Sequence, residues 1–368
     1  MEEVAINPGF WRDKRVLLTG HTGFKGSWCS IWLQRLGASV QGYALAPETT
    51  PDLYSAAGVG ARMASRFADV RNREAVRAAF EETQPEIVLH MAAQPLVRAS
   101  YEAPVDTYAA NVVGTANVVD AASRCAAVRA VVVLTSDKCY DLRGATGPRA
   151  EADPLGGSDP YSASKAGAEL ITASLRASLF GGGGRAASSA RVATARAGNT
   201  LGGGDWARDR LLPDLISSFI RGTPARVRNP GAIRPWQHVL DPLRGYLVLA
   251  QRLFEASDEN ARERYAQGWN FGPADAETHP VAWLADAAAS RWGAGARWEA
   301  DAGAHPHEAS ELQLDSTRAQ RELGWRARLS VDEALDWTVA WYRRFADGAD
   351  ARTLVDADIE RYDSLVRA

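Results

Sequence analysis

Cysteine and histidine are scarce in this chain of 368 residues, which has three cysteines and six histidines. The cysteines are Cys29, Cys125 and Cys139, which are far apart, odd in number and without a Cys-x-x-Cys spacing. They therefore predict neither a disulfide framework nor a zinc cluster, but buried thiols. Only His305 and His307 form a close histidine pair, which is too small a set to predict a metal site.

An excess of positive charge and a long apolar run at the amino terminus are also missing. The formal net charge is −3, and nucleic acid is bound by clustered Lys and Arg. Residues 1–14 include three acidic side chains and lack an apolar stretch of the length that a signal peptide or a membrane span requires. We therefore expect no nucleic-acid partner, no membrane partner and a cytoplasmic location.

The first half of the chain instead alternates short β-branched runs with longer helical patterns. This alternation predicts an α/β fold, in which right-handed βαβ units form a Rossmann-type doubly wound parallel sheet. We expect strands at Val16–Thr19, Val40–Tyr43, Ile87–Met91, Val131–Thr135 and Val192–Arg196. We expect helices at Gly26–Leu36, Arg73–Glu82, Tyr108–Arg124 and Ser162–Ser178. The composition of Gly181–Ser189 indicates a surface loop.

The alternation ends after Asn199, where a region rich in Gly, Trp, Arg and Pro begins. The helices expected beyond it lie near Pro242–Glu255 and Val281–Arg291. We therefore predict a first domain at 1–200 and a smaller, mixed α/β domain at 201–368. A segment near 236–275 is expected to return to the first domain, where Trp269–Gly272 would add a strand.

A glycine triplet follows the first predicted strand directly. Gly20, Gly23 and Gly26 are spaced as Gly-x-x-Gly-x-x-Gly between this strand and the first predicted helix. Glycines there let the backbone turn tightly and approach a pyrophosphate, whose charge the helix start stabilises. The position favours a dinucleotide-binding loop over a tight turn with no ligand.

The second strand lacks the acid that commonly holds the adenosine ribose about 20 residues after the glycines. The chain reads Tyr43–Pro47 there, and the first acid is Glu48. No Arg stands there to bind the 2′-phosphate of NADP either. Asp69, after the next apolar run, is either an acceptor for the adenine amino group or a helix cap.

Tyr161 and Lys165 are four residues apart, which places both side chains on one face of a helix. A nearby ammonium and the positive charge of a bound nicotinamide both favour the phenolate, so we expect them to lower the pKa of Tyr161 and make it a usable base. The alternative is an ordinary amphipathic helix with a surface Lys. Ser136 supports the catalytic interpretation, because it follows the strand Val131–Thr135 at the sheet edge where ligands bind.

Four segments together resemble the extended short-chain dehydrogenases/reductases, and within them the nucleotide-sugar dehydratases and epimerases. These segments are Thr19–Ser27, His90–Pro95, Thr135–Asp141 and Tyr161–Lys165. Further matches, at Arg196–Asn199, Gly202–Trp206, Arg228–Pro230, Ile233–Val239 and His305–Glu308, are similar to the members that act on CDP-glucose. The likeness runs from about Phe10 to Trp341.

The resemblance implies NAD as cofactor, a nucleotide-sugar substrate, CDP-glucose above others, and a homo-oligomer, either a dimer or a tetramer. The implied cofactor-binding residues are Gly20, Thr22, Gly23, Phe24, Lys25, Gly26, Asp69, Val70, Met91, Ala92, Ala93, Gln94, Asn111, Tyr161 and Lys165. The candidate substrate-binding residues are Gln94, Asn199, Arg210, Arg228, Arg234 and His307. Arg228 and Arg234 are the candidates for the diphosphate, since Arg binds phosphate oxygens in a bidentate manner. Each Arg has the alternative of a surface ion pair.

The implied reaction is a 4,6-dehydration with an internal hydride transfer. Tyr161 takes the proton of the sugar 4-hydroxyl as hydride leaves C4 for NAD, with Ser136 hydrogen-bonding the same hydroxyl. Water is then lost across C5 and C6, Asp137 protonates the departing 6-hydroxyl, and the hydride returns to C6. The implied catalytic residues are thus Ser136, Asp137, Lys138, Tyr161 and Lys165.

Lys138 departs from the wider group of dehydratases, many of which have Glu at this position as the base for the C5 proton. A Lys must be neutral to act as a base, which requires burial or a cationic neighbour. Lys138 is therefore a base, an electrostatic aid to the enolate, or simply an ion-pair partner of Asp137.

Two other functions remain open from the sequence. A nucleotide-sugar 4-epimerase, or a dehydratase acting on another nucleoside diphosphate sugar, would share Ser136, Tyr161 and Lys165, but an epimerase does not need Asp137. A non-catalytic dinucleotide-binding regulatory protein would need neither Tyr161 nor Lys165 for chemistry.

Overall fold

The computed structural model of the chain describes residues 4–144, 147–180, 189–273, 278–293, 295–303 and 312–367. The strands of these residues are β1 (Arg15–Thr19), β2 (Ser39–Ala44), β3 (Ala64–Phe67), β4 (Ile87–His90), β5 (Ala130–Leu134), β6 (Arg191–Ala197), β7 (Asn199–Leu201), β8 (Ala225–Val227), β9 (Ile233–His238), β10 (Gly268–Phe271), β11 (Thr278–Pro280) and β12 (Trp298–Ala300).

The helices are α1 (Pro8–Trp11), α2 (Phe24–Arg35), α3 (Leu53–Ala56), α4 (Arg73–Thr83), α5 (Val97–Glu102), α6 (Pro104–Tyr108), α7 (Gly114–Arg124), α8 (Pro160–Leu175), α9 (Leu211–Ile220), α10 (Leu240–Glu255), α11 (Glu259–Tyr265), α12 (Val281–Trp292), α13 (Thr317–Leu323), α14 (Val331–Ala346) and α15 (Ala351–Arg367). Short 3-10 turns lie at Val59–Arg62 and Asp137–Cys139, and π-helical turns at Ala109–Val113 and Arg176–Phe180.

Seven strands form one parallel sheet in the order β10-β6-β5-β4-β1-β2-β3. Its central strands are buried on both faces, as continuous apolar runs such as Val131–Val133 require. Alternate residues face opposite layers: Val131 and Val133 pack with the α4 and α7 side, whereas Val132 packs with the α2 and α10 side. The predicted doubly wound parallel sheet is thus confirmed.

The predicted elements are present with small shifts of their ends. The helix expected at Tyr108–Arg124 is divided into a π-helical turn, Ala109–Val113, and α7. The third strand, β3, was not predicted. Trp269, Asn270 and Phe271 lie in the main sheet, because β10 pairs in parallel with β6. The division into domains at residue 200 remains a prediction, and the loop expected at Gly181–Ser189 lies almost entirely outside the described residues.

Two small sheets add to this core: β7, β9 and β11 form one, and β8 pairs with β12. Helix α14 packs against this region, and the ring of Trp341 leaves no room for a side chain at Gly203. Among the described residues, no helix has the length and apolar character needed to cross a membrane.

Candidate active site

The turn between β1 and α2 can be formed only with glycine at two positions. Gly20 has a φ of +79°, and a Cβ there would lie 2.7 Å from the backbone nitrogen of Ala92. A Cβ on Gly26 would overlap the carbonyl of Gly20. Gly23 caps α2 with extended backbone and no side-chain hydrogen bond, so the helix start keeps free N–H groups. This cradle fits the pyrophosphate of a dinucleotide.

The other residues of this loop have different surroundings. The hydroxyl of Thr22 donates to the carbonyl of Leu45, 2.9 Å away, which connects the loop to the end of β2. The Phe24 ring lies beside Gly202. Burial, together with the positive charge of Arg210, lowers the pKa of Lys25 to about 8.

The segment after β4 forms the opposite side of the cradle. Thr19 Oγ1 accepts from the backbone N–H of Ala92 (3.1 Å) and shares a hydrogen bond with His90 Nδ1 (2.7 Å). Burial lowers the pKa of His90 to about 3, so its ring is neutral. Met91 and Ala92 are thereby held next to the backbone of Gly20, and Ala93 follows them in the half-buried segment after β4.

Asn111 joins this segment to α8, which carries Tyr161 and Lys165. Its amide accepts from the Gln94 N–H (2.8 Å), and donates to the Gln94 carbonyl (3.0 Å) and to Ser164 Oγ (2.8 Å) on α8. The Gln94 side chain donates to Thr107 Oγ1 (2.9 Å) and accepts from the Leu96 N–H. Both side-chain amides therefore form hydrogen bonds with the backbone of the segment after β4.

The edge of the sheet by β2 and β3 carries the predicted adenine contacts. Asp69 pairs with Arg71 at 2.7 Å, and this hydrogen bond lowers the pKa of the carboxyl. Tyr43 donates its hydroxyl to the Asp69 carbonyl, 2.9 Å away. Val70 is buried against Gly114 at the start of α7. Asp69 is thus placed after β3 as a charged acceptor already engaged by one Arg.

Ser136, Asp137 and Tyr161 meet at the carboxyl end of β5. Ser136 Oγ donates to Asp137 Oδ1 at 2.8 Å, and Ser136 also hydrogen-bonds the Tyr161 hydroxyl. Burial raises the pKa of Tyr161 to about 12, although the Ser136 hydrogen bond and the positive charge of Arg210 lower it. The pKa is raised in the chain alone because desolvation of the phenolate outweighs the neighbouring charges, and the lowering expected with a bound nicotinamide stays a prediction.

Lys165 lies one helical turn after Tyr161 but does not hydrogen-bond its hydroxyl. The ammonium donates to the Leu134 carbonyl at 3.4 Å and lies 6.0 Å from the centre of the Tyr161 ring. Burial lowers its pKa to about 8, while the charge of Glu169 opposes the shift. The expected shared helix face is confirmed, and the ammonium supports the strand end directly.

Asp137 and Lys138 form part of the short turn after Ser136. The Asp137 side chain is buried, and a Cβ on Gly198 would lie 2.9 Å from its Oδ2. Lys138 is half-buried, and its backbone N–H donates to Ser136 Oγ at 3.2 Å. The structure therefore directs the acid into the site, while the role of Lys138 stays a prediction.

The candidate substrate residues other than Gln94 lie in several parts of the fold. Arg210 begins α9, pairs with Asp205 at 3.2 Å and acts electrostatically on Tyr161. Asn199 begins β7 and pairs with Trp236 of β9. Arg228 pairs with Asp209 at 2.8 Å. Arg234 is buried in β9 and donates to the Ile233 carbonyl. His307 lies outside the described residues.

A model of the protein family described as GDP-mannose 4,6 dehydratase matches residues 17–338 of the chain. The chain belongs to this family. It is 45% identical over 357 residues to a protein named CDP-glucose 4,6-dehydratase from Salmonella typhimurium, which covers 97% of this chain and 98% of the relative.

Two solved structures have a fold similar to that of this chain. MoeE5, solved in complex with UDP-glucose and NAD, is 25% identical with a TM-score of 0.73, covering 90% of this chain and 99% of its own. DesIV, a dTDP-glucose 4,6-dehydratase from Streptomyces venezuelae solved with NAD bound, is 22% identical with a TM-score of 0.73, covering 90% and 97%. The second likeness supports the fold alone.

One buried group of polar side chains was not predicted from the sequence. Glu169 and Arg196 form an ion pair at 2.8 Å with both side chains buried. Thr135 and Thr194 donate to the same carboxylate, and Arg196 donates to the hydroxyl of Tyr140 at 2.6 Å. The only sequence signal was the position of Glu169 four residues after Lys165. This group fixes the end of β5 against α8, below the catalytic residues.

Proposed function

We propose that the chain converts CDP-D-glucose to CDP-4-keto-6-deoxy-D-glucose, as a CDP-glucose 4,6-dehydratase of the lyase class. The observation that carries this proposal is the 45% identity, over nearly the full length of both chains, to the relative of that name. The site supports it, since Asp137 lies beside Ser136 and Tyr161. An acid at this position is needed to expel the 6-hydroxyl but not to epimerise C4.

NAD is the cofactor that fits the site. Gly20, Gly23 and Gly26 would hold its pyrophosphate, and the segment 91–94 forms the other wall. When bound, NAD accepts hydride from C4 of the sugar and returns it to C6. Tyr161 and Lys165 are positioned at the carboxyl end of the sheet, where ligands of open α/β folds bind.

The steps that move protons are assigned to the side chains after β5 and at the start of α8. Tyr161 removes the proton of the 4-hydroxyl, and Ser136 orients that hydroxyl by hydrogen bonding. Asp137 protonates the departing 6-hydroxyl. Lys138 is placed in the same turn, where its ammonium stabilises the enolate or, when neutral, removes the C5 proton.

Substrate binding is assigned to the cations that border this site. Arg210, Arg228 and Arg234 supply positive charge for the diphosphate, and Asn199 contributes a polar contact at the start of β7. Gln94 and His307 remain proposals from the resemblance alone.

A homodimer through α6 and α8 is the proposed assembly. Val105, Val113 and Leu170 are exposed apolar side chains on this face, with Tyr108 beside them. Helix α8 packs closely on the π-helical turn, because a Cβ on Gly167 would lie 2.9 Å from Val112. Exposed apolar side chains on neighbouring helices favour contact with a second copy of the chain.

The test is a substrate panel with the purified chain, NAD, and CDP-, dTDP-, GDP- and UDP-glucose. We expect loss of one water from the sugar by mass spectrometry with CDP-glucose, and incorporation of solvent deuterium during the reaction in D2O. An epimer of unchanged mass would instead identify a 4-epimerase. Preference for another nucleotide would retain the dehydratase and overturn the base assignment.

A further inference from the structure

Asp209 connects two arginines that come from different parts of the fold. Its Oδ1 accepts from Arg98 Nη1 at 3.0 Å and from Arg228 Nη1 at 2.8 Å. Arg228 Nη2 also donates to the Asp209 backbone carbonyl at 3.0 Å. Arg98 lies on α5, directly after the cofactor wall formed by residues 91–94, whereas Arg228 follows β8. One carboxylate therefore holds two guanidinium groups together.

This group borders the catalytic centre. Arg210, the residue after Asp209, begins α9, and its charge acts on both Tyr161 and Lys25. Asp214, on the first turn of α9, lies close enough to Arg228 and Asp209 for both to influence its pKa. Asp209 thus directly precedes the residue whose charge acts on Tyr161 and Lys25, which places the paired guanidinium groups next to the border of the candidate site.

The two ion pairs are partly exposed to solvent, so a ligand can replace Asp209 as the partner of the two arginines. The side chains of Asp209, Arg98 and Arg228 are 40%, 38% and 20% exposed, so water screens the pairs and each contributes little. The two guanidinium groups carry two positive charges. A diphosphate neutralises these charges better than the single carboxylate of Asp209 does. Asp209 also has a φ of +62°, a conformation that Asn and Gly tolerate well and most residues do not.

We propose that Arg98 is a further diphosphate-binding residue and that Asp209 occupies the guanidinium pair until the nucleotide-sugar displaces it. The proposal rests on the proposed function for the nature of the substrate. It adds to Arg228 a second cation from the cofactor-binding side of the site. The substrate then bridges the two sides, and Asp209 acts as an internal competitor that sets the affinity for the diphosphate.

The test measures binding of CDP and of inorganic pyrophosphate by calorimetry to the full chain saturated with NAD, so that the cofactor cradle is occupied. For Arg98→Gln we expect both ligands to bind about tenfold more weakly, with KM for CDP-glucose raised and kcat little changed. For Asp209→Asn we expect both to bind about threefold more tightly, because the competing charge is removed while the left-handed backbone is tolerated. Arg77→Gln, at a half-buried Arg on α4 that pairs with Glu74, is the matched control and should bind both ligands normally.

A structural role for Asp209 predicts the opposite sign. If Asp209 only ordered the two arginines, Asp209→Asn and Asp209→Gly would both weaken binding, and that result overturns the competitor role. Unchanged pyrophosphate binding in Arg98→Gln overturns the role of Arg98, whatever the nucleotide-sugar. Pyrophosphate lacks both base and sugar, so failure of CDP-glucose as substrate, with the pyrophosphate results intact, would overturn the proposed function alone.

Discussion

Lys165 directs its ammonium to the carbonyl of Leu134, 3.4 Å away, and not to the hydroxyl of Tyr161, whose ring centre lies 6.0 Å from the same nitrogen. Desolvation therefore dominates both groups: it raises the pKa of Tyr161 to about 12 and lowers that of Lys165 to about 8. The chain alone keeps its base protonated at neutral pH. A cationic ligand beside the phenol is needed to favour the phenolate.

The ionisation of Tyr161 should consequently depend on NAD. At pH 9 without NAD, the phenolate absorption of the unmodified chain should match that of Tyr161→Phe, because the phenol is neutral well below its pKa of about 12. With oxidised NAD, the positive nicotinamide should lower this pKa, and a phenolate difference should appear. Ultraviolet difference titration measures it. A phenolate signal at pH 9 before NAD is added would contradict the dominance of burial.

Tyr161→Phe should separate binding from chemistry. We expect NAD binding to remain largely intact, while turnover of CDP-glucose falls by on the order of 10² or more because the base is lost. Tyr108→Phe, which removes an exposed hydroxyl on α6, is the matched control and should retain turnover. A Tyr161→Phe protein with unchanged function would favour the non-catalytic dinucleotide-binding alternative.

The parts of the site that the sequence predicts are local ones. The glycine loop and the Tyr161–Lys165 helix depend on short spacings, and each lies in the expected strand-to-helix or helix context. The strand β3 was missed because its residues, Ala64–Phe67, are only partly buried or exposed at the sheet edge and have no continuous apolar run.

What the sequence does not reveal depends on distant partners. Glu169 and Arg196 are 27 residues apart along the chain and pair only when α8 packs on β6. The raised pKa of Tyr161 in the chain alone was not predicted for the same reason, since the spacing to Lys165 gives no measure of burial. Asp209, the partner of both Arg98 and Arg228, likewise carries no local motif.

The Glu169–Arg196 pair should be strongly coupled in stability. Replacing Glu169 with Gln leaves the Arg196 charge buried without its partner, which should cost about 3–5 kcal/mol in the free energy of unfolding. Replacing both residues with Met should cost much less than the sum of the single Met replacements, because no unpaired charge remains. Urea unfolding of the unmodified chain, Glu169→Met, Arg196→Met and the double variant measures the coupling between the two residues. Additive losses would show that the pair is not the origin of the effect.

Asp241 should make stability depend on pH. It is fully buried on α10 and accepts from Tyr362 and from the Arg328 N–H, and burial raises its pKa from 3.8 to about 6. The folded chain therefore binds this proton more tightly, and the stabilisation is full below pH 3.8 and lost as pH rises through 6. Asp241→Asn lacks this titration, so relative to the unmodified chain it should gain about 1–2 kcal/mol of unfolding free energy between pH 5 and pH 8. An equal difference at both pH values would contradict the assigned shift.

The proposed dimer face can be tested at its two most exposed apolar residues. Val105 on α6 and Leu170 on α8 are 79% and 59% exposed, and a charge at either would have to be buried in a contact between two copies. Val105→Glu and Leu170→Glu should therefore convert the dimer to a monomer in sedimentation velocity. Ile220→Glu, an exposed apolar position on α9 away from this face, should leave the dimer intact. A monomeric unmodified chain, or a dimer that persists in both Glu variants, would exclude this face as the contact.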